Sequence, residues 1–283
     1  MLLILLGLTA AAGSAQAPQE KFATVFGAKV RYVEAGDASK PTVILIHGLG
    51  GSTDSSWPLT IGGLSGQYHV IGIDLLGFGK SDKPFINYRI DLFVDLLDKF
   101  MAETKIEKAC FIGNSMGGWI AVNFAAKYPA KAHKLVLVDA GGYAPPPGFD
   151  FGTLALNMNP STREGIRQGA KLLFANPAFY SSDAAIDAMM AARIAANDGY
   201  AIQTMIRNAQ YANEYFDETV KKLKLPVLVA WGKQDGITPL VIGEKLHQDI
   251  AGSELAVFDQ AGHFPQVEKA AEFNKKVLEF LAK

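Results

Sequence analysis

A serine hydroxyl is a weak nucleophile at neutral pH and reacts only when a base takes its proton and a third group orients that base. Ser115 is placed for this role. It sits in Gly113-Asn114-Ser115-Met116-Gly117, a G-x-S-x-G string that follows the apolar run 109–112 and precedes the helical pattern 119–128. So tight a strand-to-helix turn points the hydroxyl outward at a helix N-terminus, where free N–H groups and the dipole favour developing negative charge. Gly113 and Gly117 leave space where a Cβ would collide with the neighbouring strand and helix. Among five histidines, His263 lies in Ala261-Gly262-His263-Phe264-Pro265, a loop after the last predicted strand. That is the carboxyl edge of a parallel sheet, where a base must sit. His47 ends a strand among glycines and reads as a residue of loop geometry. His69 and His133 stand just before strands and His247 in a helix, as surface or structural residues.

The orienting acid is expected at another strand end. Asp235, in Trp231-Gly232-Lys233-Gln234-Asp235, fits, and the chain order becomes Ser115, Asp235, His263. Asp139, at the end of the run 135–138, is its competitor, whereas Asp74 and Asp82 read as loop-organising carboxylates. The oxyanion of a tetrahedral intermediate needs two N–H donors. Met116, next after the serine, supplies one from its backbone. The loop His47-Gly48-Leu49-Gly50-Gly51 supplies the other, through Leu49 or alternatively Gly50.

The elements that must hold these residues alternate between strand and helix. Apolar runs at Thr42–Ile46, 70–73, 109–112, 135–138, 227–230 and 255–258 read as buried strands, with a short strand at 30–34. Helical spacing appears at 91–101, 119–128 and Ala270–Leu281. This predicts an α/β fold, a mostly parallel central sheet covered by helices on both faces. Residues 141–221 break the rhythm. They open on Pro145-Pro146-Pro147-Gly148 and offer helical patterns near 162–174, 183–196 and 201–216, too long for a crossover. The expected organisation is a core of 18–140 and 222–283 with an inserted helical cap of 141–221. Residues 1–17 carry no charge, an apolar run at 2–12 too short to span a bilayer, and Ala15-Gln16-Ala17, which matches an A-x-A cleavage site. They read as a signal peptide for export to the periplasm or medium, although no basic residue precedes the apolar run and Pro18 follows the cut. No membrane anchor is expected.

The 283 residues, 49% hydrophobic and 19% charged, describe a globular chain. A net charge of −1 gives no basic surface for a phosphate backbone, so a nucleic-acid partner is not expected. The single cysteine, Cys110, excludes an internal disulfide and reads as a small core residue. No H-E-x-x-H or paired Cys/His spacing occurs, so neither a metal nor a cofactor is expected. Oligomeric state is not legible. Met158, Met189, Met190 and Met205 of the cap read as packing that could also line an acyl pocket, together with Leu172, Leu173 and Phe174.

HGLGG, IDLLGFGKSD, GNSMGG, WGKQD and AGHFPQVE, in this order, resemble the α/β-hydrolase fold family over nearly everything after about residue 22. The strings are similar to those of its serine esterases and lipases, and of serine C–C hydrolases that cleave ring-fission products of aromatic degradation. Members with an Asp nucleophile are disfavoured by Ser115. The resemblance implies substrate contacts at Asn114 and Phe264. In the C–C hydrolases a Trp commonly follows the catalytic His, where this chain has Phe264, and a cap arginine is used, for which Arg163, Arg167, Arg193 and Arg207 are all available. The expected activity is hydrolysis of a small-molecule carboxylic ester through an acyl-enzyme. The alternatives are C–C hydrolysis of a vinylogous diketone acid, or a ligand-binding member of the fold with little turnover.

Overall fold

The computed structural model describes residues 17–209 and 213–283; the export reading of 1–17 falls, but for Ala17, outside them. The aliphatic runs form strands: β1 (Gln19–Val25), β2 (Ala28–Ala35), β3 (Thr42–Ile46), β4 (His69–Ile73), β5 (Ala109–Asn114), β6 (Ala132–Val138), β7 (Val227–Gly232) and β8 (Glu254–Phe258). They make one sheet in the order β1-β2-β4-β3-β5-β6-β7-β8, antiparallel at β1–β2 and β2–β4 and parallel elsewhere. The helices are α1 (Thr53–Ser56), α2 (Thr60–Ser65), α3 (Ile90–Glu103), α4 (Met116–Lys127), α5 (Phe151–Met158), α6 (Arg163–Leu173), α7 (Asp183–Ala196), α8 (Gly199–Ala209), α9 (Leu240–Asp249), α10 (Pro265–Glu268) and α11 (Ala270–Leu281).

Alternation along each strand feeds two cores. Ile44 and Ile46 join Phe93, Leu97, Ile120 and Leu246 on one face, while Val43 and Leu45 join Ile61, Phe273 and Val277 on the other. The strand order reverses between β3 and β5, so the loops after these neighbours part to opposite faces and open a crevice at their carboxyl ends. Among the described residues no helix is long and apolar enough to cross a membrane.

Several expectations need correction. β1 was not anticipated: its sequence QEKFATV is polar and mostly exposed, and it exists because Phe26 and Gly27, both at positive φ (51° and 81°), close a two-residue hairpin onto β2. α5 lies outside the expected helical patterns: it has 8 residues, packs Phe151, Leu154, Ala155 and Met158 only partly buried against the core, and has its start set by Asp150, which accepts from the Thr153 N–H at 3.0 Å. The last cap pattern, 201–216, is helical only from Gly199 to Ala209 among the described residues. His69 and His133 lie within β4 and β6, not before them. α5 to α8 all fall between β6 and β7, and α8 buries Ala201, Ile202, Met205 and Ile206 in the same core as Phe78 and Tyr88.

Candidate active site

Ser115 is the turn between β5 and α4, at φ 55° and ψ −119°. Such a conformation costs a serine roughly 1–3 kcal/mol and persists only where its surroundings impose it. They do. The Ser115 N–H donates to Val138 O at 2.9 Å, and its carbonyl accepts from Gly118 and Gly141 at 3.0 and 3.2 Å. A Cβ on Gly113 would lie 2.2 Å from Gly117 O, and one on Gly117 would lie 2.2 Å from Ile46 O in β3, so this elbow closes only on glycine.

His263 is buried on the loop between β8 and α10, and its Nδ1 lies 2.7 Å from Asp235 Oδ2. That leaves Nε2 as the nitrogen that can exchange a proton with a nucleophile. Asp235, past β7, is fixed by the Ile237 and Thr238 N–H groups on Oδ1 (2.7 and 3.1 Å) and by the Thr238 hydroxyl on Oδ2 (2.7 Å). Burial alone would raise its affinity for a proton, but the charge and hydrogen bond of His263 and the donors from Thr238 and Ile237 outweigh it and hold the carboxyl below the usual range. Ser115 and His263 both line one cavity of about 660 Å³.

The N–H groups expected to face an oxyanion come from the loop after β3 and the start of α4. A Cβ on Gly48 would stand 3.0 Å from Ser115 Cβ, so the loop passes directly beside the serine, and Leu49 and Gly50 line the same cavity. Gly50 has φ 71°. Met116 opens α4, so its N–H has no carbonyl of a preceding turn to bind. His47 fixes the loop from behind: its Nε2 accepts from the Leu75 N–H at 3.0 Å, which leaves Nδ1–H to donate to Gly48 O at 2.7 Å. Burial keeps this imidazole neutral. Asp74 accepts from the Thr53 and Lys80 N–H groups and Asp82 from that of Lys29, as loop organisers. Burial pushes the Cys110 thiol up to about 11 and leaves it inert.

Asn114 and Phe264 both line the cavity. The Asn114 amide donates to Val138 O at 3.2 Å and to His263 O at 3.0 Å, which ties β5 to the histidine loop and commits its donors away from a substrate. Phe264 packs edge-on against His263 and beside Phe174. The cavity wall opposite the serine comes from the insertion, including Met158, Leu173, Phe174, Met189 and Arg193. Of the four cap arginines, Arg163 is held by Asp187, Arg167 by Asp183 and Arg207 by Asn87, and only Arg193 lines the cavity. It pairs with the buried Asp198, and a Cβ on Gly50 would stand 3.6 Å from its Nη1. The sequence offered four equivalent arginines and no sign of Asp198; only packing separates them. The insertion also bonds to the loops that carry Asp235 and His263: Leu172 O accepts from Gly236 N–H at 3.0 Å and Leu173 O from His263 N–H at 2.7 Å.

Asp139, Asp235 and His263 converge with one oxygen or nitrogen each within 4.8 Å of the others. His263 Nδ1 and Asp235 Oδ2 are already bonded to each other within it.

A sequence profile described as the alpha/beta hydrolase fold matches residues 41–270. The chain belongs to the alpha/beta hydrolase fold family. This alpha/beta hydrolase is 31% identical over 265 residues to the 2-hydroxy-6-oxononadienedioate/2-hydroxy-6-oxononatrienedioate hydrolase of Paraburkholderia phymatum, covering 89% of this chain and 91% of that one. It superposes with a TM-score of 0.83 on a meta-cleavage product hydrolase from Pseudomonas fluorescens IP01, at 29% identity, covering 93% and 97% of the two chains. It is also similar to a membrane phospholipase A, with a TM-score of 0.79 at 25% identity over 94% and 86% of the chains.

Proposed function

We propose that this alpha/beta hydrolase cleaves a carbon–carbon bond beside a carbonyl group in a vinylogous diketone acid. The observation that carries the reading is Arg193, a cation of the insertion that faces the cavity of Ser115 and His263. The names of the similar hydrolases, whose substrates are acids, support it. Ser115 Oγ passes its proton to His263 Nε2 and adds to the carbonyl carbon, whose oxygen takes up charge between the N–H groups of Met116 and Leu49. The adjacent C–C bond then breaks and the departing carbon takes the proton. Water, deprotonated by His263, releases the acyl group as a carboxylic acid. The sum is one water added across one C–C bond. Arg193 binds the substrate carboxylate with the donors that Asp198 leaves free, and the insertion sets which acyl groups fit.

A second reading, ester hydrolysis at the same serine, is favoured by Asp198 itself. It neutralises Arg193 inside an otherwise apolar wall, which suits an uncharged acyl chain, and the phospholipase likeness agrees.

The test offers the protein a 2-hydroxy-6-oxo-dienoic acid, followed by loss of its dienolate absorbance, beside p-nitrophenyl esters of graded chain length. Turnover of the acid, with a KM raised about tenfold or more by Arg193→Ala, supports the first reading. Turnover confined to the esters replaces it by the second. In either case Ser115→Ala should lower kcat by several orders of magnitude while the fold survives. Near-normal turnover by that variant removes both.

A further inference from the structure

Two carboxyl groups stand behind His263. Asp139 follows β6 with φ 45° and is fully buried. Its backbone N–H donates to Ala230 O at 3.0 Å, and its Oδ1 accepts from the Gly232 N–H at 2.8 Å. Among the described residues its Oδ2 receives no hydrogen bond. What it faces are Asp235 from the loop after β7, His263 from the loop after β8, and Glu268 from α10.

Two buried carboxylates this close cannot both ionise. The donors decide which does. Asp235 is met by the Ile237 and Thr238 N–H groups, the Thr238 hydroxyl and His263 Nδ1, whereas Asp139 is met by the Gly232 N–H. The charge therefore rests on Asp235 and the proton on Asp139. Burial first, then the charge of Asp235, raise the proton affinity of Asp139 well above the ordinary carboxyl range.

We propose that Asp139 is a second acid of the Asp235–His263 pair: neutral and hydrogen-bonded to Asp235 while Asp235 carries the charge, and able to ionise and hold His263 when Asp235 is made neutral. Asp139 acts through other side chains and is a positioning residue. The proposal rests on the reading of Ser115 as a nucleophile assisted by His263, and not on whether the bond cleaved is C–C or C–O.

The experiment compares the parent, Asp139→Asn, Asp235→Asn and the double variant by the rate at which a fluorophosphonate modifies Ser115, read by intact mass across pH, with Ser115→Ala as the blank. Asn tolerates the left-handed backbone of residue 139 and can donate an N–H where the neutral carboxyl donates its O–H. Asp139→Gly, which suits the same backbone, provides a second route to the double variant if the amide disturbs folding. Asp139→Asn should stay within about threefold of the parent. Asp235→Asn should lose about 10²-fold, short of the roughly 10⁴ lost where a triad has one acid, and its remaining rate should rise with pH as Asp139 gives up its proton. The double variant should lose about tenfold more, and that rise with it. A double variant no slower than Asp235→Asn overturns the proposal, as does an Asp139→Asn variant slower than Asp235→Asn. A parent that is not modified overturns the Ser115 reading itself.

Discussion

Asp139 and Asp235 are one residue type in two environments, and their effects on stability run in opposite directions with pH. An unfolded aspartate titrates near 3.9. In the fold Asp139 titrates above this, through burial and the charge of Asp235, so folding takes up a proton there. Stability is lost as pH rises through the window between the two values. Asp139→Asn needs no proton, so its Tm should match the parent near pH 3 and exceed it by about 2 °C or more at pH 7. Asp235 is held below the usual range despite its burial, so its contribution is present at neutral pH and lost as pH falls through the folded value. Asp235→Asn should therefore lower Tm at pH 7 and converge on the parent in acid. Melting curves between pH 3 and 8 check both; a constant offset for Asp139→Asn would place the proton elsewhere. Ser115, Asp235 and His263 were legible as candidates because each stands just past an apolar run. Arg193 was not, because four arginines share one polar pattern and only the packing of α7 turns one inward.

At the scale of elements, the elbow stands or falls with the backbone approach at Gly117. A methyl there meets Ile46 O, a backbone atom of a buried strand that cannot swing aside. Gly117→Ala should lower Tm and slow reaction at Ser115 together, whereas Gly62→Ala, inside α2 with open space at its Cβ, should leave that reaction unchanged and raise Tm slightly if it moves it at all. Thermal melts and fluorophosphonate labelling separate the outcomes; an unaffected Gly117→Ala would mean that β3 yields. The buried strands could be read from sequence because being buried on both faces writes a continuous apolar run. β1 and α5 could not. One is a polar edge strand held by a turn, and the other is a helix of 8 residues whose apolar period, Phe151, Leu154, Ala155 and Met158, spans two turns and is only partly buried, too short to stand out from the connector before it.

At the scale of the molecule, the insertion forms the wall opposite the serine, yet its methionines divide. Met189 lines the cavity, whereas Met205, expected from the sequence to line an acyl pocket with it, is buried in the core with Ile202 and Ile206. Leu172 is partly exposed and contributes its carbonyl, not its side chain. Met189→Trp should therefore shift preference toward shorter acyl groups, each lost CH₂ contact being worth about 0.8 kcal/mol, with little change in Tm. Met205→Trp should overpack the core at a cost of about 1–3 kcal/mol and leave the preference as it was. A chain-length profile and a melting curve for each variant decide; a shifted profile for Met205→Trp would put that residue at the cavity. Finally, the end of α6 grips the loops of Asp235 and His263 through its last carbonyls. Lifting this part of the insertion would take the Gly236 and His263 amides from their acceptors and so loosen the two loops that carry the Asp–His pair. In deuterium exchange the amides of Gly236 and His263 should accordingly open at one common rate with α6, as a single latch.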